Sequence, residues 1–199
     1  MGAALILLAG GKSSRFGRDK TLLRWDDQLV VERIIRLAAP LFREVLLVSN
    51  HPGKFALEGV EELCDLYPEM GPLGGIHAGL TAARCDTVFV TACDMPFFHR
   101  ALARQLLDHA PRYEAALPRD GEAVEPLFAM LRRGPALAEA ERMLSQGRRR
   151  MRDLYQRLDT CYLDREDWLG QAPEGDRDLF FNINHPEDYL RLTAGGASM

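Results

Sequence analysis

Mainly apolar runs alternate with amphipathic segments along the first half of the chain. Three runs of strand length cover Ala3–Ala9, Glu44–Ser49 and Thr87–Ala92. Runs of this kind are typical of strands buried on both faces, as in a parallel sheet covered by helices. Segments with helical period follow them: Val30–Leu41, Gly75–Arg84 and Arg100–His109. The alternation predicts an α/β fold, a three-layer, doubly wound and mostly parallel sheet with helices on both faces.

The second half of the chain has a less regular pattern. Strands are predicted at Tyr113–Pro118, Pro126–Met130, Asp159–Leu163 and Leu179–Ile183. Helices are predicted at Pro135–Leu144, at Met151–Arg157 and from Pro186 onward, and a turn at Arg119–Gly121. Because no linker composition or repeat divides the chain, we expect residues 1–199 to form a single domain.

Composition excludes several classes of protein. The net charge of −4 over 199 residues argues against general nucleic-acid binding. The N-terminal apolar run is too short for a signal peptide or a membrane span, so we expect no membrane association. No C-x-x-C pair occurs among the four cysteines, Cys64, Cys85, Cys93 and Cys161. We interpret them as reduced thiols of a cytoplasmic protein.

The first apolar run leads into a glycine-rich, basic stretch. Its Gly-Lys-Ser tripeptide resembles part of a P-loop, but Ile6 occupies the position where that motif requires glycine. The dinucleotide fingerprint G-x-G-x-x-G is also absent. What remains is the turn Gly10-Gly11 followed by four basic side chains, Lys12, Arg15, Arg18 and Lys20. Such a loop either binds an anion with more charge than one phosphate or is simply a solvated basic loop.

The residue Asp94 directly follows the third apolar run. Ligands of a doubly wound sheet bind outside the carboxyl ends of its strands, and there Asp94 would face the basic loop. A carboxylate in that place is suited to hold Mg²⁺ against phosphate oxygens. The alternative role of a lone aspartate at a strand end is to form a turn or cap a helix.

Other polar or glycine-rich positions are also predicted near strand ends. Gly71–Gly75 is either a plain helix entry or a surface on which a flat base lies. Asp65 ends a further candidate strand and points toward the same rim, and Asn50 follows the second apolar run. Asn182 and Asn184 are unusual in a strand interior, so they either cap a helix or bind a substrate.

The remaining polar residues suggest no further chemistry. The histidines lack metal-ligand spacing, and no Ser-His-Asp or Cys-His order stands out, which argues against covalent nucleophilic catalysis. The run Arg148–Arg150 is either a solvated charged segment or helps to hold an acidic substrate. The sequence therefore points to anion binding at the strand ends.

Five motifs occur in a family-specific order: LAGGKSSRFGRDK, GPLGG, CDMP, EPLFAM and FNINHPEDY. Together they resemble the molybdenum cofactor guanylyltransferase family, from about residue 5 to about residue 190. The resemblance implies the Rossmann-like fold of the nucleotidyltransferase superfamily. It also implies transfer of GMP from GTP to the terminal phosphate of molybdopterin, with release of pyrophosphate and a requirement for Mg²⁺.

The resemblance assigns roles to individual residues. Nucleotide contacts are implied for Leu8, Ala9, Gly10, Gly11, Lys20, Asn50, Asp65, Gly74, Gly75 and Asp94. Among these, Asp94 would be the Mg²⁺ ligand, and Lys20 with Arg15 would neutralise the leaving pyrophosphate. Asn182 and Asn184 would lie on the pterin side of the cleft.

The resemblance favours guanine as the base. Related cytidylyltransferases tend to read LAAG where this chain reads LAGG, and they lack the turn Pro72–Gly75. The alternatives are transfer from CTP, a different acceptor such as a sugar phosphate, or a nucleotide-binding regulator without catalysis. The implied partners are GTP, the molybdenum cofactor and, in transient contact, proteins that deliver or accept that cofactor.

Overall fold

The computed structural model describes residues 2–10, 20–51, 53–169 and 181–195. Its strands are β1 (Ala3–Leu8), β2 (Arg24–Trp25), β3 (Gln28–Leu29), β4 (Glu44–Ser49), β5 (Val60–Cys64), β6 (Thr87–Ala92), β7 (Ala115–Asp120), β8 (Ala123–Val124), β9 (Ala129–Arg132) and β10 (Thr160–Asp164). Its helices are α1 (Val30–Ala38), α2 (Pro72–Ala82), α3 (Arg100–Asp108), α4 (Arg133–Ser145), α5 (Met151–Tyr155), α6 (Arg165–Leu169) and α7 (Pro186–Gly195).

The central sheet has β1 in its middle. The strand order is β10-β7-β9-β6-β1-β4-β5, and β8 pairs with β7. Strands β5, β4, β1 and β6 are parallel to one another. Strand β9 is antiparallel to its neighbours β6 and β7, and β10 is parallel to β7. The sheet is mostly parallel, which confirms the predicted fold class.

The side chains of β1 alternate between two hydrophobic cores, one on each face of the sheet. Leu5 and Leu7 belong to the core that includes residues of α1 and α3. Ile6 and Leu8 belong to the core that includes residues of α2, α4 and α5. Because helices cover both faces, all six residues of β1 are buried. This explains why the strand is a continuous apolar run without polar alternation.

Helix α1 shows how the sequence specifies a local element. Val31, Ile34 and Ala38 recur with helical period, and all three are buried against the sheet, as predicted. At the start of the helix, the Glu32 carboxylate accepts a hydrogen bond from the backbone N–H of Leu29 at 2.9 Å. This carboxylate satisfies a donor and suits the positive end of the helix dipole.

Two elements of the second half lie at positions shifted from the predicted ones. The strand expected from Pro126 begins only at Ala129, because the Glu125 carboxylate holds the Leu127 N–H in a turn at 3.0 Å. Strand β7 extends through Asp120, so the turn that follows begins at Gly121, whose φ is +60°. This backbone conformation favours glycine.

The strand predicted at Leu179–Ile183 is wrong over the part that the structure describes. Residues 181–184 have no regular secondary structure. The Ile183 N–H donates to the backbone carbonyl of Asp94 at 2.8 Å. In the described part, this contact joins the segment to the residues after β6, and no strand is formed there.

All four cysteines are free thiols. Among the helices of the described ranges, none is long and apolar enough to cross a membrane.

We expect Gly79→Ala to destabilise the fold. A methyl group there would lie 2.6 to 2.8 Å from three side-chain atoms of Ile6, which is fully buried. Overpacking costs about 1–3 kcal/mol, which outweighs the gain of about 1 kcal/mol in helix propensity. Urea unfolding should show a lower free energy of unfolding for this variant.

The control for that measurement is Gly134→Ala in α4. This glycine is exposed, and a methyl group there would meet no atom within 4 Å. Because Pro135 follows, crowding against the proline ring offsets the gain in helix propensity. This substitution should therefore lower stability less than Gly79→Ala does. Equal behaviour of the two variants would contradict the packing argument.

Candidate active site

Four parallel strands end at the same edge of the sheet. Three backbone hydrogen bonds continue the register just past the strand ends, from Ala9 to Val48 (2.8 Å), from Cys93 to Leu8 (2.9 Å) and from Asp65 to Ser49 (3.1 Å). The residues that follow these strands therefore share one edge, and they include Ala9, Gly10, Asn50, Asp65 and Asp94. This is the edge at which ligands bind in open α/β sheets.

Gly10 and Asn50 are neighbours at this edge. A methyl group on Gly10 would lie 3.5 Å from the Asn50 Oδ1 atom. Both residues are exposed, whereas Leu8 and Ala9 before them are buried. A ligand can therefore reach the backbone of Gly10 and the side-chain amide of Asn50 together.

The first turn of α2 packs tightly against Asp65. A methyl group on Gly74 would lie 2.8 Å from Asp65 Oδ1 and 2.5 Å from the carbonyl oxygen of Tyr67. A methyl group on Gly75 would lie 3.0 Å from Leu8 Cδ2 and 3.9 Å from Asp65 Oδ2. The two glycines therefore let the helix start approach both strand ends, as only residues without a Cβ atom can.

Burial raises the pKa of Asp65, although its hydrogen bond from the Tyr67 N–H and the nearby His77 oppose the shift. That hydrogen bond joins Tyr67 N–H to Asp65 Oδ1 at 2.7 Å. The Tyr67 ring in turn contacts the His77 ring edge-on, with 5.3 Å between centroids. The loop after β5 is thus folded onto α2, and a carboxylate held there can accept further hydrogen bonds from a ligand.

Asp94, Glu125 and Asn182 form a second part of the site, which we name the acidic corner. The backbone carbonyl of Asp94 accepts the Ile183 N–H, and the Asn182 Nδ2 group donates to Glu125 Oε2 at 3.4 Å. Three segments distant in sequence therefore meet beyond the end of β6.

Burial raises the pKa of the Glu125 carboxyl, and the negative charge of Asp94 raises it further. The hydrogen bonds from Leu127 N–H and Asn182 oppose these effects without cancelling them. Tyr155 supports the loop that follows Glu125, since its hydroxyl donates a hydrogen bond to the carbonyl oxygen of Pro126 at 2.6 Å. Two mutually repelling carboxylates in a partly desolvated corner favour a cation between or beside them.

The acidic corner fits a hard divalent cation. Among the described residues, no group of three or more His, Cys, Asp or Glu side chains could hold a metal by itself. Mg²⁺ does not require such a cage, since it is usually bound by one or two carboxylates together with substrate phosphates and waters. Asp94 and Glu125 could supply two such carboxylates.

Several predicted site residues are not placed, or only partly placed, by the structure. Gly11 and Arg15 lie outside the described residues. Lys20 begins a short 3-10 helix, Lys20–Leu22, and only its backbone is described. Asn184 lies at the start of α7, where its N–H and that of His185 donate to the Asp188 carboxylate at 2.9 and 2.8 Å. The structure therefore links Asn182 to the acidic corner and places the Asn184 backbone just before α7.

The run Arg148–Arg150 does not contact the acidic corner through the contacts observed. Arg148 pairs with Asp153 at 2.9 Å. Arg149 donates to the backbone carbonyl of Glu69 at 3.2 Å, in the loop after Asp65. Arg149 thus supports the loop beside the glycine-rich helix start.

Sequence reasoning missed Glu125 as a site residue. The motif EPLFAM contains it, but nothing in a Glu-Pro turn between two strands distinguishes a site carboxylate from a solvated one. The available signal was a charged residue directly before an apolar strand that returns to the centre of the sheet. Only the tertiary structure shows that this carboxylate accepts from Asn182 and is close enough to Asp94 for its pKa to be raised by that charge.

Two curated proteins are similar to this chain over nearly its whole length. A probable molybdenum cofactor guanylyltransferase from Pelotomaculum thermopropionicum is 32% identical over 187 residues, which cover 94% of this chain and 89% of that protein. The molybdenum cofactor guanylyltransferase of Syntrophotalea carbinolica is 33% identical over 197 residues, which cover 98% and 92%.

Solved structures share the fold. The crystal structure of molybdopterin-guanine dinucleotide biosynthesis protein A from Archaeoglobus fulgidus superposes with a TM-score of 0.83 at 27% identity, covering 98% of this chain and all of that one. The 2-C-methyl-D-erythritol 4-phosphate cytidylyltransferase of Thermus thermophilus superposes with a TM-score of 0.69 at 19% identity, which shows a common fold alone.

The fold and the site are those of a nucleotidyltransferase. Residues 5–161 match the family model described as the MobA-like NTP transferase domain. The chain belongs to this family, and specifically to the molybdenum cofactor guanylyltransferases that its relatives represent.

We expect Gly74→Ala to weaken nucleotide binding more than it weakens the fold. The added methyl group would meet a backbone oxygen, which cannot rotate away, and would displace either the Asp65 carboxylate or the helix start. A shift of this size should raise the dissociation constant for the nucleotide by roughly tenfold or more. Isothermal titration with Mg²⁺-nucleotide measures it.

The matched variant for that titration is Gly134→Ala, the same substitution at an open position of another helix. It should bind nucleotide as the wild type does. Unchanged binding by Gly74→Ala would show that the close approach of α2 to Asp65 is not needed for the ligand.

Proposed function

We propose that this protein transfers GMP from GTP to the terminal phosphate of molybdopterin and releases pyrophosphate. The observation that carries the proposal is that the acidic corner and the glycine-lined start of α2 both lie at the same edge of the sheet. It is supported by similarity over nearly the whole chain to proteins named molybdenum cofactor guanylyltransferase.

The donor nucleotide would occupy the edge between β1 and α2. Gly74 and Gly75 are buried and let the start of α2 lie close to Asp65. Backbone groups around this helix start would read the edge of the guanine. The base and ribose would be near Asp65. The main chain at Leu8, Ala9 and Gly10 and the side-chain amide of Asn50 would contact the nucleotide on the side of its phosphates.

Basic side chains would neutralise the triphosphate. Lys20 and Arg15 are the residues we propose for the charge that develops on the leaving pyrophosphate, and Gly11 would let the main chain approach the phosphates. Asp94 and Glu125 would hold Mg²⁺ at the acidic corner. When bound, Mg²⁺ supplies positive charge against the phosphate oxygens of the donor.

The reaction is an in-line displacement at the α-phosphorus of GTP. An oxygen of the pterin phosphate forms the new bond to phosphorus while the bond to the β-phosphate oxygen breaks, and pyrophosphate leaves with that electron pair. The attacking phosphate is already ionised near neutral pH, so no side chain has to remove a proton. The chain contributes by holding both substrates in line and by stabilising charge.

The acceptor would approach from the side of Asn182 and Asn184. Glu125 holds the amide of Asn182 toward the acidic corner, so the amide oxygen is oriented before the acceptor binds. Proteins that deliver molybdopterin or receive the product would contact the chain transiently at this side.

The nucleotide specificity is tested by pyrophosphate release. With Mg²⁺ and molybdopterin, we expect turnover with GTP and turnover at least tenfold slower with CTP or ATP. A discrimination of this size needs only one lost hydrogen-bonding match, worth about 1.4 kcal/mol. Turnover with CTP, or with a sugar phosphate as acceptor, in the absence of activity with GTP and molybdopterin would overturn the proposal.

We expect Asp94→Asn to lower kcat by at least about 100-fold, because the variant loses a charged oxygen ligand at the acidic corner. Steady-state pyrophosphate release at saturating GTP measures the effect. Thermal unfolding should be nearly unchanged, since the backbone carbonyl of Asp94 still accepts the Ile183 N–H.

The control is Asp86→Asn, an exposed aspartate just before β6 and therefore at the opposite end of the same strand. It removes the same charge and should leave kcat unchanged. Full activity of Asp94→Asn would remove its role in holding the metal.

A further inference from the structure

The connection between β4 and β5 is built around one carboxylate, that of Glu62. Four consecutive backbone N–H groups donate to it: Gly53 and Lys54 to Oε2 at 2.7 and 3.1 Å, Phe55 and Ala56 to Oε1 at 3.2 and 2.7 Å. Successive main-chain donors of this kind form an anion-binding concavity, and here the chain supplies its own anion.

This arrangement fixes a loop that would otherwise be free to move. Ala56 adopts φ +46°, a left-handed conformation that is unfavourable for a residue with a Cβ atom. Hydrogen bonds to a charged acceptor are roughly twice as strong as neutral ones. Four of them on one carboxylate can maintain the strained turn.

From this loop, the Lys54 side chain reaches a residue that lies far away in the sequence. Its Nζ atom donates to the Thr21 hydroxyl at 2.6 Å, and the two residues are 33 positions apart in sequence. The ammonium group also lies 5.3 Å from the centroid of the Phe55 ring. Thr21 is only 8% exposed, so this contact is partly shielded from solvent.

Thr21 is the residue after Lys20, in the short helix Lys20–Leu22. The contact with Lys54 therefore restrains the main chain that carries the proposed phosphate-binding lysine. The same loop begins at Asn50, whose Oδ1 atom is next to Gly10. The connection between β4 and β5 therefore contacts two parts of the proposed donor site, the short helix Lys20–Leu22 and the strand end at Gly10.

We propose that Lys54 is a positioning residue for the phosphates of the donor nucleotide and that Glu62 is the residue that positions Lys54. The inference rests on the proposed function in one respect, namely that Lys20 binds the donor phosphates. Without the Lys54–Thr21 contact, the short helix must be ordered when the nucleotide binds, and this entropy is subtracted from the binding free energy.

A double-mutant cycle on Lys54→Met and Thr21→Val tests the contact. Both substitutions nearly preserve side-chain volume and remove only the charge or the hydroxyl. We expect each to raise the dissociation constant of Mg²⁺-GTP by roughly tenfold, with the double variant close to either single one. Lys54→Arg should recover part of the affinity, because it keeps a charged donor on a long side chain.

The role of Glu62 is tested by charge-matched variants. Glu62→Gln leaves one oxygen for four donors, so we expect GTP affinity to fall about as far as in Lys54→Met. Glu58→Gln removes the same charge from an exposed position of the same connection and should bind as the wild type does. Isothermal titration gives the affinity, and thermal unfolding of each variant separates binding from stability.

The outcomes separate this inference from the proposed donor. Wild-type protein that binds CTP and not GTP would overturn the donor assignment, and the cycle would then be measured with CTP. Additive effects of the two substitutions, unchanged affinity, or a loss of thermal stability without loss of affinity would each overturn the role of Lys54. Absence of binding by the wild type to either nucleotide would overturn both proposals.

Discussion

The close approach of α2 to the central sheet is the contact on which the donor side of the site depends. Gly79 faces the Ile6 side chain and Gly74 faces Asp65 at distances that exclude a Cβ atom, while a Cβ atom on Gly75 would be crowded by Leu8 at 3.0 Å. The helix can lie this near the sheet only because these positions lack side chains. The dense packing of the core and the position of the helix start at the site therefore have the same physical cause, the absence of side chains at these glycines.

The acidic corner depends on a different physical effect, the free-energy cost of placing two carboxylates near each other. Asp94 and Glu125 come from the ends of β6 and of the β8–β9 turn, and burial with mutual repulsion raises the pKa of Glu125. Such an arrangement costs the fold free energy and would favour a bound cation, since protonation or a nearby positive charge relieves the repulsion. The supporting contacts from Leu127, Asn182 and Tyr155 keep the corner in place without neutralising it.

Much of the fold could be predicted from the sequence, and less of the site. Continuous apolar runs identified β1, β4 and β6, because burial on both faces removes the polar alternation. The strand predicted at Leu179–Ile183 was wrong for its described part, since its backbone bonds to Asp94 and not to a neighbouring strand. The strand-end residues Gly10, Asn50, Asp65 and Asp94 do share an edge, because parallel register aligns them. Glu125 and Lys54 were not found, because their partners are distant in sequence. Glu62 was not found, because residue types do not show that four nearby backbone N–H groups converge on its carboxylate.

The sequence by itself therefore determined the class of fold, the edge at which ligands bind and the family, since periodicity, strand order and motif order are local properties of the chain. Only the tertiary structure decided which carboxylate faces Asp94, which glycines are needed for packing, and what the loop after Asn50 holds. The physical reason is that most of these contacts join segments far apart in the chain, such as Asp94 and Glu125, which are 31 positions apart, and Gly79 and Ile6, which are 73 positions apart. Residue types and spacing along the chain do not specify such distances until the sheet has brought the segments together.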